Sequence, residues 1–208
     1  MQFLIFIIPL LFAVTLHEVA HGYAAFKFGD PTAKFAGRLT LNPIPHIDPF
    51  GSIILPALLV FSGSPAIFGY AKPVPVDFRN LRPHRAGSVV VSIAGVATNL
   101  ACAAIGGIVY RGFSLLQGID PTPLIPLIQM VYAFTVINLV LAVFNLIPIP
   151  PLDGSRLVSA ILPPLARRRY EQIGPFGIII LLILLMTNFL DLLMGYLITP
   201  LVRLFIGV

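Results

Sequence analysis

From Phe3 to Phe28 the chain is almost purely apolar, and this run limits the fold more than any other feature. Hydrocarbon offers no water to pair with backbone N–H and C=O groups, so a spanning segment must be a helix or part of a closed barrel. Roughly 26 residues of helix reach about 39 Å, enough to cross a bilayer with tilt. Apolar runs recur at about 86–109, 127–147, 174–187 and 190–206. Of 208 residues 58% are hydrophobic and 10% charged, against about 25% charged in soluble domains. The expected fold class is an all-α polytopic membrane protein. One integral-membrane domain over residues 1–208 is expected, with no room for a separate soluble domain. Met1-Gln2 supplies no basic leader and the first run continues unbroken, so a cleaved signal peptide is not expected.

The first run is broken by His17-Glu18-Val19-Ala20-His21, which holds two of only four histidines. On a helix His17 and His21 stand one turn apart on one face and can share a metal ion. Glu18 is offset around the helix, beside the open coordination position, where it would take a proton from metal-bound water. H-E-x-x-H on a helix is the signature of zinc-dependent peptide hydrolysis. A hydrogen-bonded core histidine is the bland alternative. Burial in a membrane argues against it, because ionisable groups in hydrocarbon are costly and mark functional sites.

Between the first two runs the pattern changes. Phe35–Leu41 reads as a possible short strand, and Asn42 onward is rich in turn formers. Residues 50–76 are apolar but punctuated by Gly51, Pro56, Gly63, Pro65, Gly69, Pro73 and Pro75. So many helix breakers fit a re-entrant segment with possible short strands better than a crossing helix. The charges agree. Lys27, Lys34 and Arg38 precede the segment, and Lys72, Arg79, Arg82 and Arg85 follow it. Both groups lie on the cytoplasmic side only if the chain enters and leaves by one face. Arg156 and Arg167–Arg169 mark that side again, whereas the 111–126 loop holds Arg111 alone. The formal charge of +5 thus reads as positive-inside topology, with no nucleic-acid partner expected. Cys102 stands alone, so no intrachain disulfide forms.

A catalytic zinc takes three protein ligands and leaves a fourth position open. Asp153 follows the proline-broken end of the third long run, on the side of His17 and His21. His46 and Asp48 precede the re-entrant segment. His84, Asp77 and Glu171 sit among basic residues and read as solvated, while Asp191 has no neighbouring motif. Asn99, polar within the second long run, needs a partner at depth; helix–helix glue and contact with substrate are both open to it.

His17-Glu18-x-x-His21 in the first apolar run, followed much later by Asn145-x-x-Pro148-x-Pro150-Pro151-Leu152-Asp153-Gly154, resembles the site-2 protease family of intramembrane zinc metalloproteases. Asn42–Gly51, Gly69-Tyr-Ala-Lys-Pro-Val-Pro75, and Ala94-Gly95 with Asn99 also match. Many relatives carry Pro where this chain has Val96. The resemblance implies a three-helix catalytic core and one Zn2+ per chain on His17, His21 and Asp153. It implies Glu18 as catalytic base and Asn145 beside the scissile carbonyl, with Asn99 a second candidate for contact with substrate. The implied reaction is hydrolysis of peptide bonds in or near transmembrane segments of membrane proteins, in the cell membrane with the site nearer the cytoplasmic face. The implied partners are such substrates and the bilayer. A minimal member without PDZ or CBS domains is expected. Two rivals use the same residues: a divalent-metal transporter, and an inactive chaperone or adaptor that binds membrane helices. The first leaves Glu18 without a task, and no lost site residue supports the second.

Overall fold

A computed structural model describes residues 2–62, 69–115, 122–187 and 189–207. Nine α-helices are formed among them: α1 (Gln2–Lys27), α2 (Thr32–Phe35), α3 (Leu55–Phe61), α4 (His84–Phe113), α5 (Ile125–Asn145), α6 (Asp153–Ile161), α7 (Pro164–Glu171), α8 (Gly177–Met186) and α9 (Phe189–Ile206). No strand occurs among the described residues. Four helical stretches are long and apolar enough to cross a membrane: Leu4–Lys27, His84–Phe113, Thr122–Asn145 and Pro164–Met186. The protein is therefore a multi-pass membrane protein.

Helices α1, α4 and α5 pack on one another as a three-helix core, and α4 also carries α6 and α9. The buried face of α4 is made of small and polar residues, among them Ser88, Ser92, Gly95, Asn99 and Ala103. Without a hydrophobic force between helices in lipid, such residues let backbones approach closely and hydrogen-bond across the gap. Gly95 is the extreme case. A Cβ built there would overlap the imidazoles of both His17 and His21. The large apolar side chains point outward instead, including Phe6 and Phe12 on α1, Ile105 and Ile108 on α4, and Ile178 and Leu182 on α8. Their solvent is lipid.

One end of the bundle collects the basic residues. Arg82 N–H donates to Phe28 O at the end of α1 (2.8 Å), and Arg85 at the start of α4 reaches Ile161 O at the end of α6. Arg111 binds Leu204 O in α9 at the opposite end of α4. Asp30 ties the basic end together. Its carboxylate accepts from the Thr32 hydroxyl (2.5 Å), Asn80 Nδ2 (2.9 Å) and Asp77 N–H (2.8 Å). Burial alone would raise the Asp30 pKa, but these donors hold it below the usual carboxylate value. Nearby, the Arg79 side chain and N–H pull Asp77 down to about 2.

Two expectations change. Thr32–Phe35 is one turn of helix, and no ladder forms over 35–41. The possible short strands of 50–76 are absent among the described residues as well. A π-helical turn, Pro49–Ile54, capped by Asp48 on Gly51 N–H, leads into α3. Gly63 and Pro65 lie outside the described residues. From Gly69 the chain runs extended, and isolated bonds replace a ladder: Tyr70 N–H to Gly51 O (3.0 Å) and Lys72 N–H to His46 O (3.0 Å). Pro73 and Pro75 cannot donate, so no ladder propagates. These bonds bring the two ends of the segment back beside each other. At the C-terminal side, α8 alone has 10 residues, about 15 Å and too short to span; length sufficient to cross comes only with α7 included.

Gly95→Ala should therefore destabilise the protein by about 1–3 kcal/mol through overpacking. Gly112→Ala, with nothing within 4 Å of the added methyl, should be silent in the same thermal-unfolding assay. Asp30→Ala should cost about 1–3 kcal/mol by removing the buried acceptor shared by Thr32, Asp77 and Asn80. Because its folded pKa is depressed, the Asp30 contribution is complete above the ordinary 3.8 and disappears as pH falls through the folded value. The difference in melting temperature between wild type and Asp30→Ala should shrink along that path.

Candidate metal centre

The centre is assembled from three separate pieces of chain. His17 and His21 project from α1, one turn apart, with rings 4.6 Å between centroids and nearly perpendicular. Asp153 is the first residue of α6. Pro148, Pro150 and Pro151 prevent α5 from continuing, so the chain turns back and starts α6 at Asp153. Gly154 permits the fold-back, because a Cβ there would run into the Leu146 carbonyl. Asp153 Oδ2 lies 3.1 Å from His17 Nε2 and 3.0 Å from His21 Nε2, and the two Nε2 atoms are 3.0 Å apart. All three side chains are buried.

The outer nitrogens define the inner ones. His21 Nδ1 is 2.6 Å from Val91 O, a carbonyl that only accepts, so Nδ1 carries the proton. His17 Nδ1 is 2.5 Å from Asn99 Oδ1, again an acceptor. In the neutral rings both Nε2 atoms then point lone pairs at each other and at a carboxylate oxygen. Three acceptors in mutual contact repel unless a cation sits among them. Among the described residues this is the one group of three or more His, Cys, Asp or Glu side chains able to hold a metal ion. Two imidazoles and a carboxylate suit zinc, and Nδ1–H donated to an amide or carbonyl is how ligating histidines are held.

The other candidates turn elsewhere. Asp48 caps the 49–54 turn, and His46, though buried, bonds Thr40 O through Nε2 (3.0 Å). Asp77 pairs with Arg79, Glu171 with Arg167 and Ser159, and His84 is exposed. Asn99 is fully buried behind His17, where its Nδ2 donates to Asn138 Oδ1 (2.8 Å). Asn145 donates to Leu141 O of its own helix (3.0 Å) and is half-buried. Glu18 is half-buried beside the cluster, and its Oε2 accepts from Val74 N–H at 2.7 Å. Sequence reading missed Asn138 and Val74. Asn138 carried a signal, a primary amide inside an apolar helix that needs a partner. Val74 acts through its backbone and carried none. A cleft of about 460 Å³ is lined by Val76, Phe78, Pro151, Ser155 and Arg156 among others, and neither the three clustered side chains nor Glu18 lines it.

The model of peptidase family M50 matches residues 113–187 of this chain. YwhC of Bacillus subtilis (strain 168), which carries a zinc-metalloprotease name, is 42% identical over 186 residues, 87% of this chain and 80% of that protein. Rip2 of Mycolicibacterium smegmatis, also named for a zinc metalloprotease, is 30% identical over 91% of this chain and 69% of its own length. Rip2 of Mycobacterium tuberculosis (strain H37Rv) is 32% identical over 87% of this chain and 66% of its own length. No solved structure gives a significant match. The buried His-His-Asp cluster and these matches lead to one assignment: the chain belongs to peptidase family M50, the site-2 proteases.

Proposed function

We propose that this protein is an intramembrane zinc metalloendopeptidase that cleaves peptide bonds in or near transmembrane segments of membrane proteins. The observation that carries the reading is the convergence of His17 Nε2, His21 Nε2 and Asp153 Oδ2, with the Glu18 carboxylate alongside. One zinc per chain is assigned to those three atoms. Zinc bound there supplies Lewis acidity and water acidified to a pKa near 7.

The chain's own groups do the rest. Glu18 is the general base: it takes the proton of the attacking water and returns it to the leaving amide nitrogen. Only Oε2 is held by Val74 N–H, so Oε1 stays free for that task. Asn145 is assigned to the developing oxyanion. Its Nδ2 has two hydrogens, one spent on Leu141 O and one available. Asn99, paired with Asn145 in the sequence reading, is assigned to His17 because its polar atoms are already engaged there. A divalent-metal transit site has no use for Glu18, a carboxylate beside the ligands and bonded to backbone.

A substrate helix must unwind before its carbonyl is reachable. The extended 69–76 segment offers a place for it. Tyr70, Lys72 and Val74 spend their backbone groups inward on Gly51, Ser52, His46, Arg38 and Glu18. In extended chain the alternate residues face the other way, leaving the carbonyls of Ala71, Pro73 and Pro75 to accept N–H groups from an extended substrate. We assign residues 50–76 a re-entrant path and the centre a position nearer the cytoplasmic face, since the basic residues gather at that end of the bundle. The substrates implied are single-pass membrane proteins already trimmed by another protease. All of residues 1–208 are assigned to this one domain.

Glu18→Gln should retain zinc and lose cleavage of a model transmembrane substrate by about 10²–10⁴-fold, read in detergent or nanodiscs. Wild-type rates in the variant would sink the role of Glu18. Photocrosslinkers placed next to the scissile bond of the substrate should capture residues 69–76; capture confined to α8 and α9 would sink the edge-pairing role.

A further inference from the structure

We infer that Asn138 is a positioning residue that sets the ring tautomer of His17 through Asn99, and so makes His17 able to bind a metal. The inference rests on the assignment of His17 as a ligand. Asn138 and Asn99 are both completely buried, on α5 and α4. Two primary amides in contact can each be turned either way, and the four combinations present different atoms to His17. One fixed group removes the choice. Phe134 O, a backbone carbonyl four residues before Asn138, only accepts, and Asn138 Nδ2 donates to it at 2.8 Å. Asn138 Oδ1 is thereby aimed at α4, where Asn99 Nδ2 donates to it at 2.8 Å, with a longer contact to Ala13 O at 3.5 Å. Asn99 Oδ1 is then the atom left for His17, 2.5 Å from Nδ1.

The direction of this chain of bonds matters more than its strength. An acceptor at Asn99 selects the Nδ1–H tautomer and leaves Nε2 with its lone pair, 3.1 Å from Asp153 Oδ2. Turning the Asn99 amide over would put NH2 against Nδ1, select the Nε2–H tautomer and point a proton into the metal position. His21 has no such vulnerability, because its Nδ1 meets the carbonyl of Val91 directly. The two histidines are thus held by different means: one by a carbonyl that cannot turn, the other by an amide that can. Asn138 supplies for His17 the polarity that Val91 supplies for His21. Outer partners of metal-bound histidines typically change affinity by about 10–100-fold, and Asn138 is that partner at one remove.

The test reads zinc affinity by competition with a chromophoric chelator, and the His17 tautomer by ring ¹⁵N chemical shifts of the metal-free protein. Asn138→Leu should weaken zinc binding about tenfold and populate Nε2–H at His17. Asn138→Asp, which keeps the acceptor, should stay within about threefold of wild type. In an Asn99→Asp background, where an oxygen meets His17 whichever way the group turns, Asn138→Leu should have no further effect on zinc binding. A structural role alone would move thermal stability in every background and leave the tautomer unchanged. Wild-type zinc affinity and tautomer in folded Asn138→Leu would overturn the inference. So would an Nε2–H signal from His17 in wild type, a readout that needs no variant to fold. Nδ1–H at His17 in a wild type that binds no zinc would instead sink the metal assignment and leave the relay standing.

Discussion

Three buried lone-pair donors held within hydrogen-bond distance of one another dominate this structure. Nε2 of His17, Nε2 of His21 and Oδ2 of Asp153 sit 3.0–3.1 Å apart, while each ring turns Nδ1 outward to a protein oxygen. That arrangement is unfavourable without a cation and favourable with one. Much of the surrounding fold serves to maintain it. Gly95 lets α4 come close enough to back both rings, Val91 and Asn99 hold the outer nitrogens, and Gly154 lets α6 begin with its aspartate facing α1. In an apolar bundle each of these polar contacts is hard to replace, since the surrounding hydrocarbon offers no substitute partner.

The second organising contact joins the chemistry to the surface that would receive substrate. Val74 N–H on Glu18 fastens the extended 69–76 segment to α1, and Arg38 and His46 fasten the same segment through Lys72. A peptide pairing along its outer carbonyls would be held in register with the Glu18 carboxylate that we propose as base for the attacking water. Asp30 anchors the continuation of that segment by accepting from Asp77 N–H. The strip from Gly69 to Asn80 is therefore tied to α1 through Glu18 and to residues 30–52 through Asp30, Arg38, His46 and Gly51.

Class of fold and the convergence of His17, His21 and Asp153 were legible in the sequence for different reasons. The apolar runs have no other stable outcome in a bilayer, and the helices α1, α4 and α5 fall on them. His17 and His21 are local, one turn apart. Asp153 is 132 residues from His21 and was reachable only as one of several carboxylates until family resemblance singled it out. What was not legible is what depends on tertiary contact. Residues 35–41 and 50–76 carry strand-like composition, yet with prolines at 73 and 75 and the turn over Pro49–Ile54 no ladder forms among the described residues. The Asn99–Asn138 pair spans two helices, so local periodicity shows two polar residues and not their direction of bonding. Val74 acts through a backbone N–H, to which side-chain patterns are blind.

X-ray absorption at the zinc edge, on protein purified in detergent or nanodiscs, tests the central claim most directly. One zinc per chain is expected, with low-atomic-number ligands at about 2.0–2.1 Å, imidazole scattering from two histidines, and no sulfur shell at about 2.3 Å. Loss of the metal in Asp153→Ala should accompany that spectrum. A sulfur ligand from Cys102, a single-imidazole spectrum, or full zinc occupancy without Asp153 would contradict the trio on which the rest of this account depends.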